Sequence, residues 1–149
     1  MVAYLLLHMT CAFCGIISGT VKSYIVFEDA VSLAFLDHHP LFPGHSLLVP
    51  KNHYETINDL PAELIEPLFA NTRLIARSVE QAMEAEGTFI AINNRISQRV
   101  PHLHIHIVPR RRKDGLKGFF WPRNPYKDEA ELLKTQKAIR NAIAEILSE

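Results

Sequence analysis

Apolar and polar positions divide the chain into short alternating stretches and two long periodic ones. Between Ser23 and Asp37, β-branched and aromatic residues flank a Glu28-Asp29-Ala30 break, the pattern of two strands joined by a tight turn. Pro40, Pro43 and Gly44 mark residues 38–44 as a loop, and Ser46–Val49 follows as a short apolar strand stopped by Pro50. Leu64, Leu68, Ile75, Val79 and Met83 recur near multiples of about 3.6 residues, which predicts an amphipathic helix over Leu60–Glu86 with Asp59 as N-cap and Gly87 as stop. Pro67 lies inside that pattern, so a kink is expected there. Thr88–Asn93 and Leu103–Val108 read as two more strands with a polar connection between them. A second helix is predicted over Asp128–Leu147. Asp128 and Glu131 have the spacing of a capping box, and Leu132, Ile139, Ile143 and Ile146 form the stripe expected to be buried.

Five strands and two main helices in hairpin-like order, without regular βαβ alternation, predict an α+β fold on a mainly antiparallel five-stranded sheet. The 149 residues suit one domain, 1–149. Within it, residues 1–8 read as an extension, because Met9 is itself a plausible start, and 110–149 as a basic and aromatic loop followed by the last helix. Hydrophobic residues make up 48% and charged residues 21%, which is globular rather than disordered. Sixteen Lys plus Arg balance sixteen Asp plus Glu, so no overall field draws the chain to nucleic acid or an anionic membrane, and neither partner is expected. No apolar run approaches the roughly 20 residues of a membrane span, and the first residues lack a secretory pattern. The two cysteines, Cys11 and Cys14, do not form a secreted disulfide framework; C-x-x-C suggests a metal or redox pair in a reducing compartment, hence the cytoplasm.

The segment Gln98-Arg99-Val100-Pro101-His102-Leu103-His104-Ile105-His106-Ile107-Val108-Pro109-Arg110 carries the densest chemistry. On a strand His102, His104 and His106 project to one side while Leu103, Ile105 and Ile107 enter the core. Three readings follow. The first is a half-exposed strand that happens to carry histidine. The second is a metal site, since H-x-H on a strand presents two nitrogen ligands, with Asp37 the nearby carboxylate. The third is covalent catalysis at phosphorus: a neutral imidazole is nucleophilic when its other nitrogen donates to a carbonyl, and flanking histidines with Gln98 supply donors to the phosphoryl oxygens.

The spacing Gln98-x-Val100-x-His102-x-His104-x-His106, with an apolar residue after each histidine, resembles the signature of the histidine triad (HIT) superfamily. Cys11-x-x-Cys14, Phe35-Leu36-Asp37 and Pro43-Gly44-His45-Ser46-Leu47-Leu48-Val49-Pro50-Lys51-x-His53 extend the resemblance, to a bacterial type with an N-terminal C-x-x-C, over about residues 10–110. It implies a nucleotide hydrolase or nucleotidyl transferase acting at the α-phosphorus of nucleoside phosphates, such as dinucleoside polyphosphates or nucleotidyl conjugates, with a purine the default base. His104 is then the nucleophile, His106 contacts the phosphate, Gln98 serves the leaving-group side, Asn93 the phosphate and Asp37 the ribose hydroxyls. His45 matches a family histidine placed to orient a phosphate-site partner. The resemblance also implies a homodimer whose sheet is extended across the interface.

This chain departs from the family where Ser97 replaces a glycine and Arg99 a small hydroxyl residue tied, in phosphoramidate-cleaving members, to protonation of the leaving group. Arg99 then either pairs with a further phosphate as a bidentate donor or is a solvated loop residue. Cys11 and Cys14 need two more ligands to close a tetrahedron, and the resemblance supplies His53 and His102 for a structural Zn²⁺; a redox pair is the other reading. The basic run Arg110–Lys113 is either a solvated face or an attraction for polyphosphate, and Trp121 covers a base or packs at an interface. Two other functions compete: a nucleotide-binding module working through protein partners with incidental turnover, and a zinc-dependent metallohydrolase.

Overall fold

The computed structural model describes residues 11–116 and 124–148, apart from the side chains at 132, 143–145 and 147. The predicted extension 1–8, Trp121 and the side chains of Leu132 and Ile143 lie outside the described residues. A short helix α1 (Ala12–Ile17) leads into strands β1 (Ile25–Glu28), β2 (Ser32–Leu36) and β3 (Ser46–Pro50). Helix α2 (Ala62–Met83) follows, then β4 (Gly87–Ile92), β5 (Ile105–Arg110) and helix α3 (Glu129–Leu147). The strands form one sheet in the order β1-β2-β3-β5-β4, every neighbouring pair antiparallel, as the order of elements predicts. Two compact units divide after Asp114.

The sheet is covered on both faces, which explains the unbroken apolar run of β3, buried at every position. On one face Ala34, Leu48, Leu103, Ile105 and Ile107 pack with Leu68, Ile75, Ala76 and Val79 of α2. On the other, Leu33, Phe35, Leu47 and Val49 pack with Phe13 and Ile16 of α1. Asp29 ties the β1–β2 turn to α2. One oxygen accepts from the backbone of Val31 and Ser32, both at 2.8 Å, and the other from Asn71 Nδ2 at 2.7 Å. This keeps its carboxyl below the usual range despite the opposing burial.

Several expectations need correcting. α2 begins at Ala62 with Pro61 at its N-cap, and Asp59 instead accepts from the backbone and hydroxyl of Thr56 at 2.9 and 2.7 Å, closing a separate 3-10 turn over Ile57–Asp59. The helix stops at Glu84, in the left-handed region at φ 50, so Gly87 opens β4 instead of ending the helix. Residues 12–17, which the sequence left without an element, are helical because Cys11 caps them: its Sγ accepts from Cys14 N at 3.5 Å. In the second unit Asp128 accepts from Glu131 N at 2.8 Å, the predicted cap. Ile139 and Ile146, expected to be buried, are 57% and 67% exposed.

Candidate active site and metal cluster

The histidines are reached through β5. Leu103, Ile105 and Ile107 are buried toward α2, so the alternate residues His104 and His106 belong to the α1 face. His106 lies level with Leu47 of β3 and Ala91 of β4. Extending that register by two residues brings Asn93, half-buried, level with His104. The strand itself starts only at Ile105; Leu103 is held by a bond from its N to Tyr54 O, and His102 sits in a bend closed by its N on Val100 O at 2.8 Å. His102 therefore leaves the line of the other two.

It joins the cysteines. Its Nδ1 lies 3.5 Å from Cys11 Sγ and 3.6 Å from Cys14 Sγ, and His53 Nδ1 lies 3.4 Å from Cys14 Sγ. The ligand atoms of Cys11, Cys14, His53 and His102 all fall within 4.8 Å of one another. Since Pro50 O can only accept, the 2.9 Å contact places the proton of His102 on Nε2 and leaves the Nδ1 lone pair to the cysteines. Bonds of about 2.3 Å to sulfur and 2.0–2.1 Å to nitrogen give tetrahedral edges of roughly 3.4–3.8 Å, which these separations match. Burial and the neighbouring Cys11 push the Cys14 thiol up to about 12, so a cation is what would make Cys14 a thiolate.

His104 donates from Nδ1 to the carbonyl of His102 at 2.7 Å, which leaves a lone pair on Nε2. Burial holds its pKa below the ordinary histidine value, so it is neutral at pH 7. Its ring lies 4.9 Å from that of His106 at 67°. A third histidine stands behind His106: Leu41 N donates to His45 Nδ1 at 3.1 Å, so His45 carries its proton on Nε2 and gives it to His106 Nδ1 at 3.0 Å. His106 in turn keeps its own proton on Nε2, as a donor. Burial, with His104 and His45 close by, lowers His106 to about 4, and burial lowers His45 as well against the pull of Asp37, whose Oδ2 is 3.7 Å from His45 Nε2. The ligand atoms of Asp37, His45 and His106 also lie within 4.8 Å of one another, as in a metal site. Their protons argue otherwise, since the Leu41 N–H fixes the proton on the nitrogen that would have to bind.

The other predicted site residues lie in the loop between β4 and β5. Gln98 is committed there: Oε1 accepts from Arg95 N at 2.7 Å and Nε2 donates to Glu55 O at 2.6 Å. Arg99 is exposed and makes no hydrogen bond or ion pair among the described residues. Arg95 and Ser97 both adopt positive φ, 66° and 60°, so the position where Ser97 replaces a glycine is one that favours glycine. The basic run turns to the end of α2. Arg110 pairs with Asp114 at 2.5 Å, Arg112 with Glu86 at 3.6 Å, and Arg111 donates to the carbonyls of Met83 and Glu84.

A HIT domain pattern matches residues 18–113. The chain belongs to the HIT domain family. Among its relatives are the adenylylsulfatase HINT3 of Arabidopsis thaliana, 35% identical over 74% of this chain and 57% of that protein, and the adenosine 5'-monophosphoramidase HNT1 of Candida albicans, 28% identical over 95% of this chain and 97% of that one. A Zn-bound histidine triad family protein from Mycobacterium smegmatis shares the fold at a TM-score of 0.70 and 35% identity, covering 95% of this chain and 98% of its own. Homologues of this HIT chain thus include nucleotide hydrolases, and the five-stranded antiparallel sheet is the fold of its structural neighbours. No helix among the described residues is long and apolar enough to cross a membrane.

Proposed function

We propose that this HIT protein cleaves nucleotide anhydrides at the α-phosphorus through a nucleotidyl-histidine on His104. The observation that carries the reading is the 2.7 Å bond from His104 Nδ1 to the His102 carbonyl, which makes Nε2 the nucleophilic nitrogen. Nε2 forms a bond to phosphorus as the bond to the bridging oxygen breaks, and the leaving group departs with that electron pair. Water then attacks phosphorus, the pair of the P–N bond returns to Nε2, and the water proton passes to solvent. His106, donating from Nε2, holds the charge on a non-bridging oxygen, which at about 4 its low pKa keeps it able to do as a neutral donor. Asn93 assists at the phosphate and Asp37 accepts from the ribose hydroxyls. Gln98, with both amide ends tied to the loop backbone, acts by shaping the leaving-group side.

Two relatives are named for adenine nucleotides, which makes adenine the reference base. Arg99 cannot give up a proton near neutral pH, so leaving groups stable as anions, such as sulfate or a nucleoside polyphosphate, are favoured over amines that must be protonated. Cys11, Cys14, His53 and His102 hold one Zn²⁺, whose role is to fix this corner of the fold. The protein works as a homodimer in the reducing cytoplasm, where its two free cysteines remain available to the metal.

The test is a panel of diadenosine tri- and tetraphosphate, adenylyl sulfate and adenosine phosphoramidate, with the quenched protein mapped for a nucleotide adduct. The anhydrides should react fastest, the adduct should sit on His104, and His104→Asn should bind AMP but lose turnover by about 10³-fold or more. Nucleotide binding without turnover in the unaltered protein points to a binding module, and turnover stopped at once by a chelator points to metal-dependent hydrolysis; either result overturns the reading.

A further inference from the structure

We propose that Phe13 is a positioning residue for His104, held against the imidazole by the two cysteines that flank it. This rests on the reading of His104 as nucleophile and adds the element that keeps its ring in line. The bond to the His102 carbonyl fixes one atom of the His104 ring, and a ring held at one atom can still swing about that bond. Phe13 closes off the swing. Its ring centroid lies 5.1 Å from that of His104 at 79° and 5.9 Å from that of His102 at 73°, an edge-to-face contact with each.

Phe13 is itself held. It is 8% exposed and packs edge-on against Phe35 at 5.4 Å and 61°, and Phe35 is fixed on β2 opposite Leu47. Its helix α1 has only six residues, too few to be stable alone, so its place depends on side chains. Cys11 and Cys14 reach His102 and His53, and Ile16 enters the same cluster of buried side chains as Phe13. The spacing Cys11-x-Phe13-Cys14 thus couples the metal corner to the attacking ring through one aromatic side chain. A displacement near 1 Å in a reacting group costs on the order of 10²-fold in rate.

The experiment compares the unaltered protein, Phe13→Leu and Phe13→Ala. Each is assayed for zinc per chain, for thermal unfolding, and for single-turnover formation of the His104 adduct with diadenosine triphosphate and adenylyl sulfate. Adduct formation in Phe13→Ala should slow by about 10- to 100-fold, with Phe13→Leu between, kcat falling more than KM rises, and zinc unchanged. In the NMR spectrum the His104 ring protons should shift in Phe13→Leu, as the ring current of Phe13 is removed. If Phe13→Ala does not fold, Phe13→Leu carries the same comparison. Adduct formation within twofold of the unaltered rate, or a rise in KM alone, overturns the positioning role. An unaltered protein that forms no adduct on His104 overturns the catalytic reading instead, and the two failures are thereby told apart.

Discussion

Two histidine clusters lie beside one small sheet and take opposite parts. In the first, His102 gives its Nε2 proton to Pro50 O and turns a lone pair toward Cys11 and Cys14. In the second, His45 receives the Leu41 N–H and passes its own proton on to His106. Distances alone do not separate them, because both bring metal-type ligand atoms within 4.8 Å. The backbone group met by each ring's far nitrogen decides: a carbonyl behind the ring makes a ligand, and an N–H behind the ring makes a donor.

The largest effect that tests this contrast is loss of the metal corner. Cys14→Ser should reduce zinc from one per chain to near none and lower stability by about 4–5 kcal/mol, a drop in Tm on the order of 10 °C. Asp37→Asn and His106→Gln should leave zinc at one per chain; a second equivalent that disappears in those variants would break the comparison. Next is the relay. His45→Ala leaves the Leu41 N–H and His106 Nδ1 without their partner, a penalty of about 1–3 kcal/mol, so kcat should fall about 10- to 100-fold with zinc unchanged. Unaltered kcat would show that His106 needs no help to keep its donor.

Acid supplies a third test. His106 is held at about 4 and both His104 and His45 lie below the ordinary value, whereas the unfolded chain takes up the same protons near pH 6.5. Between about pH 6.5 and 4 the unfolded state binds more protons, so stability is full above that window and falls as pH falls through it. The denaturant midpoint should follow that course, less steeply in His106→Gln; a flat profile would mean that the second cluster accepts charge. The smallest effect lies in the loop that leads to His102. Ser97→Gly removes a left-handed serine and should stabilise by roughly 1 kcal/mol, read as a small rise in Tm with zinc content unchanged.

Much of this was legible because spacing translates directly into geometry. The alternation of Leu103, Ile105 and Ile107 with histidines predicted the burial found, and the Asp29 break predicted the β1–β2 turn. Residues whose role depends on a distant partner were not legible. Asp59 has the character of a helix cap, yet its Oδ2 accepts from Thr56, and Pro61 starts α2. Phe13 looks like one more core aromatic until the fold brings α1 beneath β5. Asn94, whose Oδ1 accepts from Ile57 N at 3.1 Å to tie the β4–β5 loop, carries no sequence signal at all. Nothing in the sequence shows that Arg111, within the basic run, meets the exposed carbonyls at the end of α2.

The alternation along β5 has a last consequence, for how this chain can change length. Ile105 and Ile107 seal the α2 side while His106 points the other way, so one inserted residue after Leu103 would exchange them, sending imidazoles into the core against α2 and isoleucines onto the histidine face. The loop before it is fastened at only a few points and can absorb additions between them. Growth and shrinkage are therefore tolerable up to Pro101 and ruinous a few residues later, a sharp boundary between a segment free to drift and one that counts its residues.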